Sequence, residues 1–334
     1  MIFFRDSHVL VSMDPTFFDI SRNFTDNGNK FITAITATSF IIEAATIIHV
    51  LIVLRIFARI TVVHRNMKIT CYNMWIGVIL KSFVNLIGAL RHLLHVGPLT
   101  PGIASIIYNV TRDLPNMLVY FLPVTIVCER VCATVHTDKY ENWFSLRFIV
   151  ALCVVPWLIA IWLTVHLLFL QQYFTILYSY FFCDAVTLGL YAIYFVLYFC
   201  TLNTTTFGTL SERYQRYENR TACRTVARIA IVSAATFLVT VVHNVTLKNL
   251  NTWFPQYGLH DKVALNRLLM DTAVASLIFT LPYHFTYLHA NMHRKYMKTM
   301  SFCHGSPVNQ SSSGDCWVCI NFDAFDDDFD GEER

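Results

Sequence analysis

Within its long apolar stretches this 334-residue chain twice sets an acid beside an arginine: Arg112-Asp113 and Glu129-Arg130. An adjacent charge pair at the edge of a membrane is cheap in one arrangement and can be re-paired in another, which suits a two-state element. Its plainer use is to anchor a helix at a fixed depth. Glu43, Lys81, Asp184 and Asp271 are further ionisable residues, each inside a long apolar stretch. At the middle of a bilayer such a group costs about 2.5–3.5 kcal/mol on insertion scales, so each needs a counter-charge, water or a ligand. Catalytic chemistry is not encoded in the same way. No Ser/His/Asp or Cys/His set is apparent, and no Gly-rich loop is present to cradle a phosphate. His92 with His95, and His289 with His293, come closest to metal-ligand spacing. They lie near opposite faces, so they read as interfacial residues. Cys316 and Cys319 have the spacing of a zinc pair but no second pair nearby. Neither an enzyme nor a cofactor is expected.

The elements that must hold these charges are seven long apolar segments, approximately 31–55, 70–94, 103–132, 148–170, 176–202, 225–246 and 264–289. A bilayer core of about 30 Å needs roughly 20 apolar residues per helical crossing. Hydrophobic residues make up 55% of the chain and charged residues 14%, against about 25% charged in an average soluble domain. The fold class expected is an all-α membrane protein, a seven-transmembrane helix bundle. It would comprise a tail over 1–30, the bundle over 31–290 and a second tail over 291–334. Cys71, Cys128, Cys132, Cys153, Cys183, Cys200 and Cys223 fall in or at the ends of spans and read as small packing residues. No basic, aromatic-interleaved patch is present, so no nucleic-acid partner is expected.

Lys and Arg give the orientation. The links at 55–70, 130–147, 204–228 and 291–300 hold 15 of them; those at 1–30, 95–102, 171–175 and 247–263 hold 5. By the positive-inside rule the first set is cytoplasmic and the N-terminus is outside. Asn23 begins a glycosylation sequon in the outer tail, although Asn203 and Asn219 begin others on the inner side. No cleaved signal peptide is expected, and the first span serves as the insertion signal. After the last span, Arg294, Lys295 and Lys298 suggest a short amphipathic helix on the inner leaflet lipid. Cys303, just beyond, is a candidate for palmitoylation. The acidic end, with Asp323, Asp326, Asp327, Asp328 and Asp330 among phenylalanines, reads as a solvated, disordered tail.

The inner ends of the spans carry two motifs. Span 3 finishes in Glu129-Arg130-Val131-Cys132-Ala133-Thr134, followed by Tyr140-Glu141; the third inner link reads Leu210-Ser211-Glu212-Arg213-Tyr214-Gln215, then Glu218-Asn219. With E-R-x-x-A-T…Y-E and L-S-x-R-Y-Q-x-x-E-N at these places, residues 30–300 resemble the nematode serpentine chemoreceptors. The likeness is closest to class e of the Sra superfamily; classes b, a and ab share parts of the second motif. The resemblance implies a rhodopsin-like G-protein-coupled receptor in the plasma membrane of chemosensory cilia. Its partners would be an external small molecule and a heterotrimeric G protein. Glu129 and Arg130 would then hold the inactive state, with Tyr140, Arg213, Tyr214, Gln215, Glu218 and Asn219 around the coupling surface. Departures from the best-known rhodopsin-like pattern are Leu281-Pro282-Tyr283 in place of Asn-Pro-x-x-Tyr, and a sixth span without proline. Residues 95–110 and 171–176 also contain no cysteine for the common outer disulfide.

Depth pairs the remaining charges. Glu43 and Lys81 lie equally deep in spans 1 and 2, and sequential antiparallel helices are usually neighbours, so a structural ion pair is expected. Arg112 precedes Arg130 by five helical turns, about 27 Å, and faces the same way unless Pro115 or Pro123 kinks the span. A ligand pocket is therefore expected from Arg112, Asp113, Asp184 and Asp271 with the aromatics Tyr180, Phe181 and Tyr283. In the competing view Asp184 or Asp271 neutralises Arg112 and the charges touch no ligand. The alternative function is a seven-span transporter or ligand-gated channel. A transporter tends to show repeated halves with broken helices, and no internal repeat is visible.

Overall fold

The computed structural model describes residues 26–60, 64–94, 103–136, 146–170, 173–202, 210–253, 259–286 and 290–303, apart from some side chains towards helix ends. These form eight helices: α1 (Asp26–Ala58), α2 (Arg65–Leu93), α3 (Ile103–Val135), α4 (Leu146–Leu170), α5 (Tyr173–Leu202), α6 (Leu210–Trp253), α7 (Leu259–Thr286) and α8 (Ala290–Cys303). Seven of them, α1 to α7, are long and apolar enough to cross a membrane. The chain is thus an all-helical, multi-pass membrane protein. One compact unit runs to Tyr296; a second begins at Met297, and of it only the end of α8 is described.

A helix satisfies its own backbone, which lipid cannot do. Side-chain hydroxyls follow the same rule here. Thr36, Thr46, Thr187 and Thr236 each donate to the carbonyl four residues earlier, at 2.7–3.0 Å, so these threonines present little unmet polarity. Prolines 115 and 123 lie inside α3, 156 inside α4 and 282 inside α7. All three helices continue through them. In α3 the Asn116 amide donates to the Arg112 carbonyl at 2.9 Å, in the turn that Pro115 weakens.

Contacts trace a closed ring, α1–α2–α3–α5–α6–α7 and back to α1, with α4 outside against α3 and α2. The α3 span is the most enclosed, 56% buried, against 28% for both α4 and α6. Val154, Val155, Leu158 and Trp162 accordingly face outwards from α4. What ties α4 on is polar: Trp157 donates to Asn73 of α2 at 2.8 Å, and Asn73 to the Cys153 carbonyl at 3.4 Å. Gly77 of α2 faces Leu122 of α3, whose side chain a β-carbon at that position would meet. Phe57, Trp75 and Phe285 pack edge to face with centroids 5.2–5.5 Å apart, joining α1, α2 and α7.

The helix boundaries correct one expectation. The link at 204–228 carries a helical segment, because α6 begins at Leu210. Its first turns are too polar to register as membrane span, yet they continue the same helix.

Candidate functional site

A chain of polar contacts links α1, α2, α3 and α7. Lys81 Nζ lies 2.6 Å from Glu43 Oε1, and both side chains are almost wholly buried. Asn85, one turn after Lys81, donates to the same oxygen at 2.9 Å and exchanges amide contacts with Asn116 of α3 at 3.3–3.4 Å. Through the Arg112 carbonyl, Asn116 leads to Asp113. One Asp113 oxygen accepts from Arg112 Nε at 3.0 Å, from Arg112 Nη2 at 2.7 Å and from Arg267 Nη2 of α7 at 2.7 Å. Arg267 Nε is also 3.8 Å from Asp271, one turn further along α7. Three acids thus meet three bases across α1, α2, α3 and α7. Charges so matched behave as structure: removing one strands another in low dielectric.

The foot of α3 is built differently. Glu129 and Arg130 are fully buried. Arg130 Nε donates to Glu129 Oε2 at 2.5 Å, and Nη2 donates to Oε1, a two-pronged contact within one helix. Nη1 turns to α6 and donates to Asn219 Oδ1 at 3.2 Å; the Asn219 amide donates back to the Ala133 carbonyl at 3.2 Å. Asn219 therefore clasps α6 to α3 beside the charge pair. Of the second motif, the side chains of Arg213, Tyr214, Gln215 and Glu218 lie outside the described residues, as does Tyr140 of the first. Asn23 and the Cys303 side chain lie outside them too.

Of the residues expected to share one pocket, Arg112, Asp113 and Asp271 are brought together through Arg267, whereas Asp184, Phe181 and Tyr283 have other neighbours. Arg112 is engaged by its neighbour Asp113, neither Asp184 nor Asp271 being its hydrogen-bond partner, because the adjacent carboxylate lies within reach of the folded-back guanidinium. Tyr283 is 12 residues beyond Asp271, about 18 Å along α7, and packs with His293 and Tyr296 at 6.0–6.1 Å. Phe181 leans on Phe237 of α6 at 5.1 Å and is 40% exposed. The Tyr180 side chain is outside the described residues. Asp184 alone of the set lines the cavity among α2, α3, α5, α6 and α7, a space of about 40 Å³. Arg112 and Arg130 are both buried, 7% and 0% exposed.

Near the start of α8, His49 of α1 bridges to α7 and α8. Its Nδ1 is 3.1 Å from the Phe279 carbonyl and its Nε2 is 2.5 Å from the Tyr296 hydroxyl. His293 lies 3.1 Å from the Thr286 hydroxyl. Burial, and then the positive charge of Arg228, hold the His293 imidazole below its ordinary range. Burial, and then Tyr283, raise the Tyr296 phenol.

Several of these residues escaped the reading of the sequence. Arg267 precedes Asp271 by one helical turn, an i,i+4 signal plain in the chain. Asn85 and Asn116 are amides in apolar spans, and such residues commonly bond across helices. His49 gave no local signal, since its partners are 230 and 247 residues away. No family model and no curated protein matches this sequence.

Proposed function

We propose that this protein is a chemosensory G-protein-coupled receptor that binds an external small molecule and activates a heterotrimeric G protein. In this reading the N-terminus is outside, and the end of the bundle holding Glu129 and Arg130 faces the cytoplasm. The membrane is the plasma membrane, in sensory cilia. The observation that carries the reading is the clasp at the foot of α3: a buried acid–arginine pair within one helix, whose arginine also donates to Asn219 of α6. Such a clasp can open by moving α6 without leaving a lone charge behind, because Glu129 still accompanies Arg130. The basic asymmetry of the links supports the orientation. Recognition of an anionic ligand by Arg112 would require competition with Asp113, so the reading favours a ligand that does not depend on that guanidinium.

Signalling assays with a promiscuous G protein test this. With surface level matched, Arg130→Ala should abolish evoked and basal signalling, and Glu129→Gln should raise the basal level. Unchanged signalling in Arg130→Ala would refute the role. Terminal epitope tags test the orientation: staining of a C-terminal tag in intact cells would sink it.

A further inference from the structure

Where α7 ends and α8 begins, basic side chains gather around one phenol. The Tyr283 ring meets His284 at 5.7 Å, His293 at 6.1 Å and Tyr296 at 6.0 Å between centroids. Arg228 comes to the same place from α6. Its neighbour in the chain, Ile229, lines a mostly apolar cavity together with Leu281 of α7, and His284 lies one turn beyond Leu281 towards α8. The guanidinium charge of Arg228 acts on both imidazoles. The other titratable groups facing them are Tyr283 and, on α8, Tyr296, whose hydroxyl is tied to His49 of α1 at 2.5 Å. The described acids are engaged elsewhere: Glu43 with Lys81, Asp113 with Arg112 and Arg267, Glu129 with Arg130, Asp271 beside Arg267 and Asp184 with Thr240.

Hydrogen bonding fixes where a proton goes. Thr286 gives its hydroxyl proton to the Tyr283 carbonyl at 2.7 Å. Its oxygen can then only accept from His293, 3.1 Å away, so Nδ1 of His293 carries the hydrogen and Nε2 is the basic nitrogen. Protonation of Nε2 makes the ring a cation close to Arg228. Burial and then that guanidinium disfavour the charged ring. The closed junction is therefore favoured above about pH 6.5 and loses that preference as pH falls. His284 faces the same charge. With both rings protonated, three cations stand where there was one, and like charges at short range push apart. The backbone has a place to yield. Pro282 has no N–H for the Ile278 carbonyl, so α7 lacks one of its own hydrogen bonds in the turn leading to His284.

We propose that His284 and His293, set against Arg228, form a proton-operated wedge: neutral, they let the end of α7 and the start of α8 close on α6; protonated, they force that junction open at the Pro282 turn. The wedge is separate from the Glu129–Arg130 clasp. Its test reads backbone protection, so it stands or falls independently of signalling.

The test is hydrogen exchange, followed by mass spectrometry, on the purified full-length protein in detergent. Rates at pH 7.5 and pH 5.5 are corrected for the intrinsic pH dependence of amide exchange. In the native protein, peptides covering 280–296 should lose protection at least threefold on acidification, while peptides from the middle of α2 keep theirs. Arg228→Gln is the decisive variant. Arginine does not titrate in this range, yet its removal should cut the acid-induced loss by at least half, and Arg228→Lys should restore it. An acid response unchanged in Arg228→Gln would leave burial as its whole cause and overturn the proposal. A native junction equally protected at both pH values would overturn it too. Should Arg228→Gln not fold, the double variant His284→Gln/His293→Gln serves: it should lose the acid response in these peptides, and a native-like response would overturn the proposal as well.

Discussion

The two acid–arginine pairs of α3 carry the same charges in reversed order, one with an aspartate and one with a glutamate, and the bundle uses them differently. At Arg112-Asp113 one carboxylate oxygen is shared between guanidiniums of two helices, and the contact continues through Asn116 and Asn85 to Glu43 and Lys81. At Glu129-Arg130 the acid closes on its own neighbour, and the arginine reaches α6 through the uncharged Asn219. A charge shared between helices is a fixed joint, because separating them strands an ion in a medium of low dielectric. A pair formed within one helix can travel with that helix, and parting from α6 breaks the two hydrogen bonds of Asn219. The upper joint holds the bundle together while the lower one is free to act as a latch.

The largest effect should come from Asp113→Ala. It leaves Arg112 and Arg267 buried without their shared acceptor, and breaking a buried pair typically costs about 3–5 kcal/mol. Size-exclusion profiles of tagged, detergent-extracted protein should show little monodisperse material. A normal profile would break the comparison at once, by showing that the upper joint is dispensable. Next come Glu43→Gln and Lys81→Met. Each alone should lower the melting temperature markedly, and the double variant should recover part of the loss; simple additivity would mean that the 2.6 Å contact carries no coupling.

Asn219→Ala should be milder. It removes one hydrogen bond to a charged group, about 1.5–3 kcal/mol, and a second to the Ala133 carbonyl, so yield should persist while melting falls. In the receptor reading basal signalling should rise. A collapse as severe as that of Asp113→Ala would remove the distinction between joint and latch. The smallest effect is expected at His293. Its imidazole titrates below the ordinary value of about 6.5, so the unfolded chain takes up the proton first. Stability from this group is present above about pH 6.5 and is lost as pH falls towards the lowered folded value. His293→Gln should narrow the difference in melting temperature between pH 7.5 and pH 5.5; an unaltered difference would refute the burial argument.

Much of this was legible in the chain because bilayer physics is coarse. Apolar length alone located all seven crossings, and depth matching alone set Glu43 opposite Lys81. The boundaries of α6 were not legible. Its segment from Leu210 to Thr221 is polar, and hydropathy measures contact with lipid, not helicity. The assignment of partners to Arg112 and Asp184 also escaped, since depth and phase along a helix do not say which neighbour lies across the gap. Asp184 was expected in one pocket with Arg112, whereas the structure pairs Arg112 with Asp113 and sets Asp184 at a mostly apolar cavity.

The arrangement of counter-charges along the chain also bears on how the protein is made. Helices are delivered to the membrane in order of synthesis. In α3 each arginine emerges beside its own acid, and in α7 Asp271 follows Arg267 by one turn. Those helices carry their neutralising partners with them. The first does not, because Glu43 finds Lys81 only when α2 has been translated. Integration of α1 is thus coupled to the arrival of α2, and the two are best released into lipid as a hairpin. A ribosome pausing between them would expose an unpaired glutamate to the translocon, and quality control would meet this protein there first.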